Sequence, residues 1–163
     1  MYIVRWLLIA AVVLVIAAVV AGQAGALQGR MPQDLGVRDG RLKPPPETPN
    51  SVSSQAALYP AHPLRAEAEI AALPLVGGDA PATMARIRTI AEAMPGASVV
   101  KAEGDYLYVR FTTRLMKYVD DAEFWADPAA RVVQVRSASR LGRKDLGANR
   151  ARIEAIRAQL GTG

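Results

Sequence analysis

The sequence predicts an α+β fold behind a membrane anchor: an N-terminal transmembrane helix, then an antiparallel sheet of about four to six strands with two helices packed on one face. Three observations carry this. Two strand–turn–strand patterns follow one another between residues 97 and 138. Apolar residues recur at helical spacing before and after them, at 81–94 and 146–160. Ahead of everything lies a run from Trp6 to Gly29 without one charged residue.

That run is almost wholly Leu, Ile, Val and Ala as far as Ala21, about the length a helix needs to cross the hydrocarbon core. Two fates are open to it. As a retained single-span anchor it places Arg5 on the near side, with Tyr2 and Trp6 at the interface. As a cleaved secretory signal it offers Ala24-Gly25-Ala26, with cleavage after Ala26. Either fate exports the remainder, to the periplasmic or exterior face of the cell's inner (plasma) membrane. Arg30, Arg38, Arg41 and Lys43 follow the span and blunt the charge asymmetry that sets orientation.

The 163 residues then divide into a membrane segment (1–26), a Pro- and Gly-rich extended arm (27–49) and an α+β domain (50–161). Pro44, Pro45, Pro46 and Pro49 exclude helix from the arm and favour polyproline geometry. Ser51–Ser54 reads as a short edge strand, and Ile70–Val76 as another, confined to an edge by Pro74. Asp79 is a helix cap and Pro81 sits in the first turn. Met84, Ile87, Ile90, Ala91 and Met94 mark the buried face of that helix, and Pro95-Gly96 ends it. A methionine stripe of this kind is core rather than a ligand box.

Strands 97–103 and 106–113 flank Gly104-Asp105, a type II′ hairpin signal. Pairing 103 with 106 puts Ser98, Val100, Ala102, Leu107, Val109 and Phe111 on the core face, with Lys101, Glu103, Tyr106, Tyr108 and Arg110 on the other. Strands 118–126 and 131–138 flank Asp127-Pro128-Ala129-Ala130, which suits a type I turn. Pairing 126 with 131 sends Ala122, Phe124, Val133 and Val135 to the core. It places Asp121 opposite Arg136, which predicts a cross-strand ion pair between them. Asp145 caps a last helix with Leu146, Ile153, Ile156 and Leu160 on its apolar stripe and Gly161 at its end.

Composition narrows the chemistry. There is no cysteine, which excludes disulfides, thiolate metal sites and a Cys nucleophile. With the single histidine, His62, in a Tyr-Pro-Ala-His-Pro loop, neither a His-based metal site nor a Ser-His-Asp triad is expected, and no metal or cofactor is assigned. The net charge is +5, and residues 136–163 alone hold seven Arg or Lys against two acids, so the basicity is local. Local basicity on an exported chain points to an anionic lipid, ligand or envelope partner rather than to nucleic acid. The candidate anion site is Arg136, Ser137, Ser139, Arg140, Arg143, Asn149 and Arg150, helped by the Gly142 loop and the helix N-terminus. The alternative is an Arg network tying the last strand to the helix and to Asp120, Asp121 or Asp145. Asp120 and Asp121 point to opposite faces of their strand and do not converge, and Asp121 with Glu123 beside Arg136 makes a poor cation cage. A non-enzymatic binding or interaction domain is the first reading. The alternative is a hydrolase using Ser51, Ser53 or a water held by Asp121, and a third is a purely structural role.

Several segments resemble one family: Asp-Leu-Gly-Val-Arg-Asp-Gly-Arg-Leu at 34–42, Pro-Asn-Ser-Val-Ser-Ser-Gln at 49–55, Val-Asp-Asp-Ala-Glu-Phe at 119–124, Arg-Ser-Ala-Ser-Arg-Leu-Gly at 136–142 and Asp-Leu-Gly-Ala-Asn-Arg at 145–150. The family is the one catalogued as domain of unknown function 1499, and the resemblance covers about residues 35–160. It brings no activity with it. The family motif Cys-Pro-x-Ser-Pro-Asn-Cys falls on residues 45–51, where Pro45 and Ser51 stand at both cysteine positions. Joint replacement implies that the two cysteines act as a pair in relatives, most simply a disulfide clipping the arm. A catalytic cysteine is not available here.

Overall fold

The computed structural model describes residues 2–162. Helix α1 (Tyr2–Gln23) is followed by the arm, then β1 (Ser51–Ser53), a one-turn α2 (Arg65–Ala68), β2 (Leu73–Pro74), α3 (Ala80–Glu92), β3 (Ala97–Glu103), β4 (Tyr106–Thr112), β5 (Val119–Asp127), β6 (Val132–Ser139) and α4 (Ala148–Gly161). The six strands form one antiparallel sheet in the order β1-β6-β5-β4-β3, with β2 pairing further along β6. The fold is α+β, as the sequence predicts. Pro74 is tolerated because β2 sits at the margin of the sheet, where a missing N–H breaks no central ladder.

α3 begins as its sequence dictates: Asp79 Oδ1 accepts from Ala82 N (2.9 Å), and Thr83 Oγ1 accepts from Val76 N (2.9 Å). Its Met84, Ile87, Ile90 and Ala91 meet Ile153, Ile156 and Leu160 of α4 over one face of the sheet, against Val109, Phe124, Val133 and Val135. Both helices therefore cover the same face.

Register differs from expectation in both hairpins. In β3–β4 the pairing of Glu103 with Tyr106 holds, but a bulge at Val100 lets Val99 face Val109 and Ala97 face Phe111. One inserted residue inverts the alternation beyond it. So Ala97 and Val99 pack on the core, while Val100 is 42% exposed. In β5–β6, Asp127 pairs with Val132, and Arg136 lies opposite Glu123 rather than Asp121. The cause is the turn. Asp127 Oδ1 accepts from Ala129 N and Ala130 N, the Asp127 carbonyl accepts from Arg131 N, and Arg131 closes the loop at φ 54°, so four residues bridge 127 to 132. A two-residue shift preserves which face each side chain occupies, so the core assignment of Ala122, Phe124, Val133 and Val135 holds while each partner changes.

The second sheet face is covered too. The arm crosses it, and Leu42, Tyr106, Tyr108 and Trp125 form a separate buried cluster joined by Leu35 and Val37. Tyr106 and Tyr108, assigned by alternation to the face away from the helices, are therefore buried under the arm. Gln55 fixes the crossing: its side chain accepts from Leu42 N (2.8 Å) and donates to the Gly40 carbonyl (3.1 Å). Tyr59 OH donates to the Leu42 carbonyl (3.1 Å). Helices, sheet and arm make three layers.

Candidate functional site

Strand alternation sorts the charged residues of β5 and β6 into two networks on opposite faces. Under the arm, Arg140 grips Asp121 with two donors, Nε to Oδ2 (2.8 Å) and Nη2 to Oδ1 (2.7 Å). Tyr108 OH donates to the same carboxylate and accepts from Arg140 Nη2 (3.0 Å). One register step along, Glu123 accepts from Tyr106 OH (2.7 Å), from the arm amide of Gly36 (2.8 Å) and from Arg136 Nη1 (3.3 Å). The predicted Asp121–Arg136 pair is thus replaced by Asp121–Arg140 and Glu123–Arg136.

Burial and the adjoining Asp121 push the Tyr108 hydroxyl up to about 12. Burial beside Glu123 raises Tyr106 still further. The hydrogen bonds to Asp121 raise Arg140 above the ordinary guanidinium value against the opposing effect of burial.

On the helix face, Asn149 is the hub. Its Oδ1 accepts from Ser137 Oγ and from Arg152 Nη1 (2.8 Å). Its Nδ2 lies within bonding distance of the Asn50 carbonyl (2.9 Å), Ser139 Oγ (3.0 Å) and Asp145 Oδ2 (2.9 Å). Arg152 also donates to Asp120 Oδ2 (2.6 Å) and lies over the Phe111 ring at 4.3 Å. Asp145 caps α4 from outside it, accepting from Gly147 N (3.0 Å) and Asn149 N (2.9 Å). Burial opposes ionisation of Asp145, but these N–H donors outweigh it and hold its carboxyl below the usual range. Leu146 does not join the apolar stripe of α4: it is 98% exposed at φ 54°.

The seven residues proposed for an anion do not converge. Arg136 and Arg140 belong to the arm face, Ser137, Ser139 and Asn149 to the helix face. Arg150 donates to the carbonyls of Glu67 (2.9 Å) and Glu69 (2.7 Å), and Arg143 is exposed. A cavity of about 290 Å³ does lie between the arm and β6, lined by Arg30, Lys43, Pro45, Asp121, Arg136 and Arg140 among others. Arg136 Nε is buried with no hydrogen-bond partner among the described residues. Sequence reasoning missed Arg30 and Lys43 here, and missed Tyr106, Tyr108 and Arg152. The available signal was Tyr106 and Tyr108 alternating in step with Asp121 and Glu123, a pattern that an open, solvated face would not need.

Of the residues named for hydrolysis, Ser53 Oγ accepts from Gln55 N (3.2 Å). Ser51 Oγ is buried without a partner. His62 is bound to the Pro45 carbonyl (3.0 Å) and accepts from Leu64 N (3.2 Å). Asp121 is clasped by Arg140 and Tyr108. Among the described residues no group of three or more His, Cys, Asp or Glu is disposed to hold a metal ion.

The asparagine hub and the double clasp sit on the segments that carry the resemblance, and the family's profile matches residues 41–160, most of the chain. The chain belongs to the DUF1499 family of proteins of unknown function. No curated protein and no solved structure matches it. For this DUF1499 protein the match begins at Arg41, so it takes in the last part of the arm, the whole sheet and both packed helices. α1 lies outside the match and is one helix apolar and long enough to be a membrane span or a signal.

Proposed function

We propose that the protein is a single-pass envelope protein, held by α1 in the plasma membrane, whose domain faces the periplasm or exterior as a non-enzymatic module for a small anion or anionic headgroup. The observation that carries the binding reading is Arg136 Nε, a buried donor for which no acceptor lies among the described residues, in a side chain that lines a cavity together with Arg30, Arg140 and Lys43, the last ion-paired with Asp34 (2.6 Å). Leaving such a donor unpaired costs about 1–3 kcal/mol, which an arriving anion removes. Arg30 and Lys43 come from the arm, so the ligand would sit between arm and sheet and hold them together. The test is thermal unfolding of the detergent-solubilised full chain with sulfate, inorganic phosphate or glycerol phosphate at matched ionic strength. A saturable rise is expected, about 2.7 kcal/mol at a hundredfold excess over Kd, and smaller in Arg30→Gln and Lys43→Gln. No rise beyond that given by chloride would end the reading.

The anchor is supported by the exposure of α1. Its most apolar stretch is 0% buried within the protein, and a bilayer would remove that surface from water. Its 22 residues span about 33 Å as a helix, close to the hydrocarbon thickness. Its last residues also bond the domain, contacts that cleavage after Ala26 would discard. The mass of the membrane-extracted protein decides between the two fates: an intact N-terminus supports the anchor, and a chain beginning at Leu27 removes it. Enzyme fusions active only outside the cytoplasm test the orientation.

A further inference from the structure

The C-terminal end of α1 is docked on the domain rather than tethered to it. Gly22 is buried against the β4–β5 loop, where a Cβ would lie 2.7 Å from the Met116 carbonyl oxygen, so a side chain is excluded. Gln23 Nε2 then reaches the carbonyls of Arg114 (3.2 Å) and Leu115 (2.7 Å). At Gly29 a Cβ would lie 2.7 Å from Arg140 Cβ, so the chain leaving α1 stays against the end of β6. Loop 113–118 is therefore fixed beside the last turn of α1, and the start of loop 140–147 beside Gly29, a few residues further on.

Those loops display apolar side chains with nothing over them. Leu115 is 60% exposed, Leu141 42%, Tyr118 39% and Leu146 98%. Tyr118, Leu141 and Leu146 border one shallow, mainly apolar groove. Leu146 holds φ 54°, a left-handed conformation costing a leucine about 1–2 kcal/mol, and it thrusts the side chain outward. Around this patch Arg114, Arg143 and Lys144 are exposed and form no salt bridge among the described residues. Leucine and tyrosine ringed by cations, at the end of an apolar span, is the chemistry of the headgroup–acyl boundary of an anionic bilayer.

We propose that loops 113–118 and 140–147 seat the domain on the membrane that α1 crosses, with Leu115 and Leu146 entering the interface and Arg114, Arg143 and Lys144 meeting anionic headgroups. Docking at both α1 and these loops fixes the domain's orientation and turns the β5–β6 turn away from the bilayer. The inference rests on the anchor reading of α1.

The chain has no cysteine, so single spin labels can be placed freely. Labels at Val13→Cys, Leu115→Cys, Leu146→Cys and Ala129→Cys are compared in the full chain. It is reconstituted into vesicles of phosphatidylcholine alone or of equal parts phosphatidylcholine and phosphatidylglycerol. Relative accessibility to oxygen and to a polar nickel reagent reports depth. The expected result is Val13 in the hydrocarbon, Leu115 and Leu146 at the interface, and Ala129 in water. Arg143→Gln/Lys144→Gln should draw the Leu146 label outward in the anionic vesicles only. Val13 deep with Leu115 and Leu146 as aqueous as Ala129 overturns the seating while leaving the anchor. Val13 aqueous overturns both. Interfacial labels indifferent to lipid charge and to the double variant overturn the role given to the cations.

Discussion

Asn149 joins three parts of the chain through one amide: the Asn50 carbonyl ahead of β1, the serines of β6, and the cap of its own helix. It is fully buried, so each partner it leaves is left without water as well. Asn149→Ala should destabilise by about 3 kcal/mol or more, read from chemical denaturation midpoints. The neighbouring Arg150→Ala, which loses bonds to two backbone carbonyls nearer the surface, should cost roughly 1 kcal/mol. Arg140 and Arg143 make a second contrast. Arg140→Gln strands Asp121, whose side chain is 2% exposed, and breaking a buried pair in this way costs about 3–5 kcal/mol. Arg143→Gln should stay within about 0.5 kcal/mol. Comparable losses for the two arginines would show that the Asp121 clasp has been overvalued. Sequence alone grouped Arg140 with Arg143, and Ser137 with Arg136. Chain proximity suggested one site, whereas alternation along β6 sends neighbours to opposite faces. That rule separated Asp120 from Asp121 correctly, and extending it to 136–140 would have divided the proposed site as well.

The arm is the element whose role was least legible. Its prolines announce extended chain, and extended chain without periodicity gives no sign of what it covers. Only the far face of the sheet, with Tyr106, Tyr108, Asp121 and Glu123, required a cover. Helices α3 and α4, by contrast, were legible from spacing, and α3 also from its Asp79 cap, because those signals are local; the N-cap of α4 is Gly147 rather than the expected Asp145. Strand faces were legible where parity sufficed, and partners were not, because a bulge at Val100 and an Arg131-closed turn are decided by backbone geometry that composition does not report. Leu42 is the arm's main apolar contact and is 1% exposed. Leu42→Ser should release the arm before the sheet, since α3 and α4 pack on the other face of the sheet. Trypsin under native conditions should then cut early at Arg38 or Arg41, while the fragment beyond them persists. Simultaneous loss of arm and core would mean that the three layers unfold as one unit.

At the scale of the whole molecule, the arm-side layer gives stability a pH limit on the alkaline side. Tyr108 titrates near 12 in the folded protein, and Tyr106 higher, against an ordinary value of 10. Both folded values are raised, so the native state binds more protons than the unfolded chain once pH passes 10. The contribution of Tyr108 is complete below pH 10 and is lost as pH rises through about 12, and that of Tyr106 persists to higher pH. Asp145 acts in the opposite direction: its folded value is lowered, so its contribution is present above the unfolded carboxyl value of 3.8 and is lost as pH falls through the folded one. The alkaline loss should be the more informative, because ionising either phenol places a second negative charge against Asp121 or Glu123 under a closed arm. The unfolding midpoint should fall across pH 10 to 12, and Tyr106→Phe/Tyr108→Phe should flatten that fall while lowering stability at neutral pH. Tyrosinate absorbance supplies the check. The part of the signal missing from the double variant should appear together with the loss of sheet and helix circular dichroism. If that part titrates near pH 10 in a chain still folded, the two hydroxyls are open to water and the arm does not close the face.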